Sequence, residues 1–208
     1  MRLILVRHGE TDWNTARRVQ GRTDTALNAR GLLQAEAAAE YLSGRGISAV
    51  YAGPLMRAAE TANIIAAKAG VKTLTTLEGL TEINFGGWEG KTNDELTLEF
   101  PRHWKDWNWV LHPELCREIG AESAQEILER ALDSLRIIMK ENPADATVAA
   151  VSHTMPIKLL TAHCVGLPVE RIRWLRADNC GSSVLQFEAD GCVTLRCWND
   201  TSYLGGLL

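Results

Sequence analysis

Two histidines stand in the same local setting, each closing a short apolar run. In "LVRHGETDWN" (5–14) the run from Met1 to Val6 breaks into Arg7 and His8, then Gly9 and Glu10. In "TVAAVSH" (147–153) a second apolar run ends on His153. Arginine's planar fork engages two oxyanion oxygens at once, so Arg7 beside His8 suits an anion held next to a nucleophile or base. Arg57 follows Gly53-Pro54 at the start of an expected helix, where free N–H groups and the helix dipole also favour an anion. Singly, these are ordinary surface arginines and core histidines. Together, two arginines near two histidines make a dianion pocket. Histidine attacks phosphorus when its other ring nitrogen is fixed by an acceptor, and a second, donating histidine stabilises charge on the transferred oxygens. Departure of an alkoxide also needs a proton donor. "LEGLTEINFGGWEGKT" (77–92) offers Glu78, Glu82 and Glu89, and the residues alone do not choose among them.

These side chains need a frame. Arg2–Val6 reads as a buried strand of Leu, Ile and Val. Asn28 is a good N-cap for a helix whose apolar positions Leu32, Ala35, Ala39 and Leu42 run until Gly44. Ser48–Ala52 is a second strand; Pro54 suits the first turn of a helix closed by Gly70; Val71–Thr75 is a third strand. Ser123 and Glu126 form a capping box ahead of an amphipathic helix that ends near Asn142-Pro143. The strand 147–153 leads to a helix starting at Pro156 and ended by Gly166 and Pro168. Ser183–Glu188 and Cys192–Trp198 flank an Asp190-Gly191 hairpin turn. Alternating strands and helices predict an α/β fold, a mainly parallel central sheet covered by helices on both faces. Ligands bind beyond the carboxyl ends of such strands, where His8 and His153 both fall. The expectation is one domain over 1–208, with residues 79–121, rich in tryptophan, as an irregular or helical insertion over the site.

Composition narrows the classes. The 208 residues carry 22 basic and 26 acidic side chains, a balance that gives no electrostatic case for nucleic acid or an acidic membrane. The five cysteines contain no CxxC pair and read as reduced thiols; His103, His112 and Cys116 lie close in sequence but match no zinc spacing, so no metal is expected. No apolar run is long enough for a signal peptide or a membrane span, and the expectation is a soluble, cytoplasmic protein. Gly86-Gly87-Trp88-Glu89-Gly90-Lys91-Thr92 imitates a phosphate-cradling P-loop. It is one residue short, lacks a preceding apolar strand and places Glu89 where phosphates belong. Trp104, Trp107 and Trp109 read either as an apolar lid or, preferably, as a local core.

"LVRHGETDWN" resembles the signature of the histidine phosphatase superfamily, the phosphoglycerate-mutase-like fold. The resemblance continues in order through "VQGRTDTALNARG" (19–31), "YAGPLMRAAETA" (51–62), "LTEINFGGWEGKT" (80–92), "IGAESAQEILERA" (119–131), "VAAVSHTMPIKLL" (148–160) and "WNDTSYL" (198–204). It implies that His8 is the nucleophile that becomes phosphohistidine. Arg7, Arg57 and His153 would bind the phosphoryl group and Asn14 would donate a further hydrogen bond. Glu82 would be the proton donor. Gln20 and Gly21 would border the pocket, with Thr154 on its phosphate-binding side; Glu10 is equally well a structural member of its loop. Three positions depart from the usual pattern. Gly53 stands where serine is common, Thr154 where glycine is common, and Tyr203 where related phosphatases often have histidine.

"EINFGGWEGKT" resembles the small phosphatases, including broad-specificity and α-ribazole phosphatases. The reading is therefore a metal-independent phosphomonoesterase acting on a small phosphorylated metabolite, with no cofactor. The alternatives are a cofactor-dependent phosphoglycerate mutase, which passes the phosphoryl group to a second hydroxyl, and a non-catalytic binder of phosphorylated ligands. Kinship of fold alone does not decide among them.

Overall fold

The computed structural model describes residues 1–101, 104 and 107–208, with Trp107 and Asn108 described in backbone only. Among these residues six strands form one sheet: β1 (Arg2–Arg7), β2 (Ile47–Ala52), β3 (Leu74–Thr76), β4 (Thr147–Ser152), β5 (Ser182–Phe187) and β6 (Val193–Asp200). Their order across the sheet is β3-β2-β4-β1-β5-β6. The first four run parallel, whereas β5 is antiparallel to β1 and β6 antiparallel to β5. The sheet is thus mixed, which corrects the mainly parallel expectation. The reason lies in the return loop before β5. That loop meets the sheet where β1 ends, the Cys180 N–H donating to the Arg7 carbonyl, so β5 starts beside the end of β1 and must run the other way.

Among the described residues seven α-helices accompany the sheet: α1 (Asp12–Thr15), α2 (Ala29–Ser43), α3 (Met56–Ala69), α4 (Asn93–Glu99), α5 (Pro113–Ile119), α6 (Ala124–Glu141) and α7 (Thr154–Val165). The central strands β1 and β4 bury both faces, alternate residues facing opposite layers. Leu3 and Leu5 of β1 pack with Val148 and Ala150 against Leu135 and Ile138 of α6 and Ile157 and Leu160 of α7. Ile4 and Val6 pack with Val50, Ala52 and Val151 against Ala39 and Leu42 of α2 and Ala58, Ala62 and Ile65 of α3. Each such large aliphatic side chain contributes about 1.5–3 kcal/mol by leaving water, so a one-residue slip of β1 would exchange the two layers and is strongly disfavoured.

Element boundaries show where local chemistry overruled the pattern. Helix α3 begins at Met56 with extended Leu55 as N-cap, so Pro54 lies just outside it rather than in its first turn. Helix α7 begins at Thr154 with His153 as N-cap; Pro156 sits within the first turn, where a missing N–H costs nothing. Strand β3 starts at Leu74, not Val71, because the Val71 N–H is taken by the Ala66 carbonyl in the left-handed cap at Gly70. Between β3 and α6 the chain forms short 3-10 turns at Glu78–Leu80, Gly86–Trp88 and Trp107–Leu111 beside α4 and α5. Trp88 is fully buried there, with Trp104 and Trp109 packed edge-on against it at 5.4 and 4.8 Å between ring centres. Trp104 and Trp109 therefore belong to a local core. The side chain of Trp107 and the whole of His103 lie outside the described residues.

Candidate active site

The parallel pairing of β1 with β4 continues one step beyond the strands, the His8 N–H donating to the Ser152 carbonyl at 3.0 Å. That registry sets the His8 and His153 rings side by side, 5.0 Å between centres and tilted by 54°. His8 Nδ1 lies 2.7 Å from the Gly9 carbonyl. A carbonyl only accepts, so Nδ1 carries the proton and the Nε2 lone pair is left facing the site. Arg57, second residue of α3, donates from Nε to that lone pair at 3.3 Å. Its two terminal nitrogens donate to the carbonyls of Thr23 and Gly21 at 2.9 and 2.7 Å. Arg7 donates from Nη1 to the Ala177 carbonyl at 2.8 Å, while its Nε and both ring nitrogens of His153 are buried without a hydrogen-bond partner among the described residues.

Three of the four groups are deeply enclosed, His8 at 2%, Arg57 at 1% and His153 at 0% exposed, and Arg7 is partly buried. Burial, then the charges of Arg57 and Arg7, hold the His8 imidazole well below the ordinary histidine pKa. Burial, then His8 and the same two arginines, do the same to His153. Burial also lowers the two guanidiniums from their usual range, opposed most strongly by the nearby Glu82 carboxylate. Both imidazoles are therefore neutral at neutral pH, beside two guanidiniums that stay charged. A neutral nucleophilic nitrogen next to fixed positive charge is the arrangement a dianionic phosphoryl group requires.

Of the three candidate carboxylates, the fold brings one to this cluster. Glu82 accepts from the N–H groups of Ile83, Thr154 and Met155 at 3.0, 3.1 and 3.1 Å, which seats it on the first turn of α7 beside His153. Glu89 instead ties loops together, accepting from Phe85, Arg22 and Thr23. Glu78 is exposed. The glycine-rich stretch at 86–92 is spent on this inward-facing Glu89 and a 3-10 turn, not on a phosphate cradle.

Asn14 and Gln20 both arrive with their amide oxygens already engaged. Asn14 Oδ1 accepts from the Thr11 N–H at 3.1 Å, the capping box of α1, and Gln20 Oε1 accepts from Thr25 and Thr11 hydroxyls at 2.7 and 3.0 Å. Gly21 has φ +55° and a Cβ there would stand 2.1 Å from Glu89 Oε1, so only glycine fits. At Gly53, a Cβ would meet the Leu80 carbonyl at 2.7 Å and His153 Nε2 at 3.3 Å; this chain has no room for the serine of the usual pattern. Thr154 opens α7 and gives its N–H to Glu82. Tyr203 is not in the cluster: its hydroxyl donates to the Cys180 carbonyl at 2.5 Å and its ring stacks on Tyr41. Glu10 accepts from Thr15 and Asn28, a structural tie across its loop.

Three residues here escaped the sequence reading. Arg130 of α6 donates to the carbonyls of Gly79, Thr81 and Glu82 and to Glu122, clamping the segment that carries Glu82. Lys158 of α7 is buried, and burial together with Arg7 pushes its pKa down to about 8 against the pull of Glu82. Asn179 touches His8 and Asn14 from the return loop. Arg130 and Asn179 touch residues far from them in sequence, which no spacing rule reports.

The chain belongs to the histidine phosphatase superfamily (branch 1), whose family model matches residues 3–201. It is 37% identical over 205 residues to the bifunctional protein Rv2228c of Mycobacterium tuberculosis, covering 98% of this chain and 55% of that protein. The chain thus spans about half the length of such curated relatives. It is 37% identical over 191 residues to the probable phosphoglycerate mutase GpmB of Yersinia pestis, covering 90% of this chain and 86% of the relative. Its fold superposes on the mycobacterial glucosyl-3-phosphoglycerate phosphatase Rv2419c, solved with VO3, with TM-score 0.85 at 28% identity, covering 96% and 99% of the two chains.

Proposed function

We propose that this protein is a phosphoric monoester hydrolase that works through a phosphohistidine on His8, without a metal, on a small phosphorylated metabolite in the cytoplasm. One domain spans 1–208, with 79–121 inserted over the site. The observation that carries the reading is the fixed tautomer of His8, whose free Nε2 meets Arg57 inside a buried, doubly cationic cluster. In the first step His8 Nε2 attacks phosphorus, the bond to the ester oxygen breaks, and Glu82 gives that oxygen a proton. In the second, water attacks the phosphohistidine while Glu82 takes a proton back, releasing phosphate and restoring Nε2. Arg7, Arg57, His153 and Asn14 hold the three transferred oxygens, with Gln20, Gly21 and Thr154 around them. The likeness to a phosphatase solved with VO3 supports this reading.

The likeness to GpmB favours a second reading, in which a sugar-acid hydroxyl replaces water in the second step. One experiment addresses both. Rapid quench with p-nitrophenyl phosphate should trap acid-labile phosphate on the wild type and none on His8→Ala, and free phosphate should appear with no second hydroxyl compound present. Near-normal turnover by His8→Ala would remove the phosphohistidine. Conversion of 3-phosphoglycerate to its 2-isomer faster than phosphate release would replace hydrolase by mutase. Tight binding of phosphomonoesters with no turnover would leave a non-catalytic binder.

A further inference from the structure

We infer that Asn179 is a positioning residue, which aims the Asn14 amide at the phosphoryl site and ties it to the nucleophile's own backbone. Its Nδ2 donates to the His8 carbonyl at 3.0 Å and to Asn14 Oδ1 at 3.3 Å. Both orientations follow without any choice of amide flip. The His8 carbonyl only accepts, so the atom facing it is the Asn179 nitrogen; the Thr11 N–H only donates, so the atom 3.1 Å from it is the Asn14 oxygen. With that oxygen held from two sides, the Asn14 nitrogen is the atom left to face the site. It has no hydrogen bond to any described residue.

The loop that presents Asn179 is built to hold still. Cys180 adopts φ 53° and gives its N–H to the Arg7 carbonyl at 2.9 Å. Ala177 receives the Arg7 guanidinium, Gly181 receives the Arg7 N–H at 3.2 Å, and Tyr203 holds the Cys180 carbonyl. Asp178 is locked to Asn199 through paired bonds of 2.8 Å each. Consecutive residues 177–181 therefore grip Arg7, His8 and Asn14, and the single side chain among them that reaches the phosphoryl-facing amide is Asn179. The tyrosine that replaces a histidine at 203 contributes to this clasp, not to the site.

The inference rests on the reading of Asn14 as a phosphoryl contact, and its test separates the two. On p-nitrophenyl phosphate, Asn179→Asp should lower kcat/KM about 10- to 100-fold, the scale of a misplaced contact. The new carboxylate has no proton to give Asn14 Oδ1 and attracts the Asn14 nitrogen instead, turning an oxygen toward the dianion. Asn179→Ala should therefore be the milder of the two, although it removes more packing; a purely structural role would order them the other way. In an Asn14→Ala background, either change should cost less than about twofold more, since coupled residues are not additive. Equal losses in both backgrounds, a milder Asn179→Asp, or wild-type rates would each overturn the inference. If Asn179→Ala does not fold, the Asn179→Asp cycle alone decides by its additivity. Wild-type rates for Asn14→Ala would instead sink the reading of Asn14 on which the inference stands, and retained turnover by His8→Ala would sink the hydrolase reading itself.

Discussion

A proton held off two imidazoles sets the pH behaviour of the native state. In the unfolded chain His8 and His153 take up protons near the ordinary value of 6.5, whereas burial and the flanking arginines keep both neutral in the folded chain well below it. The unfolded state thus binds more protons as pH falls through 6.5, and folding stability must drop there. Between pH 7.5 and 5.5 each histidine should remove roughly 1 kcal/mol, a window above that in which most carboxylates titrate. Urea unfolding across that range should show the loss in the wild type and a flatter profile in His8→Asn/His153→Asn. An unchanged slope in the double variant would mean that other groups carry the effect. Much of this was legible at the level of residues. His8, His153, Arg7 and Arg57 were picked out because each closes a strand or opens a helix, and registry between β1 and β4 did the rest. Glu82 was one of three carboxylates that spacing alone did not separate; the family resemblance pointed to it, and the N–H groups of Thr154 and Met155 on α7 seat it beside His153.

At the scale of elements, helix ends were readable where a side chain makes the cap. Asn28, the Ser123–Glu126 box and Gly70 all stand where the pattern placed them. Starts capped by backbone alone, at Leu55 and His153, were not readable, because their neighbours Pro54 and Pro156 carry the stronger local signal. The antiparallel entry of β5 was hidden as well, since it depends on where a return loop meets Arg7. The seat of Glu82 on α7 makes a prediction about two elements at once. Glu82→Gln must turn its amide nitrogen toward a backbone N–H of Ile83, Thr154 or Met155, leaving a buried donor unpaired at about 1–3 kcal/mol. If Glu82 is also the general acid, the same variant should lose about 10²–10⁴-fold on an alkyl phosphate but far less in phosphoenzyme formation from p-nitrophenyl phosphate, whose phenolate leaves unaided. Equal losses on both esters would reduce Glu82 to a helix cap. Arg130→Met, by releasing the carbonyls of Gly79, Thr81 and Glu82, should lower activity in the same direction without discriminating between the esters.

At the scale of the molecule, the site belongs to no single element. The ends of β1 and β4, the first turns of α3 and α7, the 20–23 segment and the 177–181 loop each bring a group, and the middle of the sheet has to be complete before they meet. An oxyanion that engages all of them binds only the folded chain, so its affinity must appear as global stability. Orthovanadate at about a hundred times its dissociation constant should add about 2.7 kcal/mol, which for a chain of this size raises Tm by roughly 5–11 °C. Arg57→Ala removes the guanidinium that reaches His8 and should abolish most of that shift, while a change on the far side of the sheet, such as Ser48→Ala, should leave it intact. On the proposed reading, Arg7 and Arg57 would provide the positive charge that a divalent cation supplies in metal-dependent phosphatases, with His153 as a neutral hydrogen-bond donor, so both the shift and turnover should survive exhaustive chelation. A stabilisation that disappears with chelator and returns with magnesium or zinc would mean that the arginines are not the anion's principal partners.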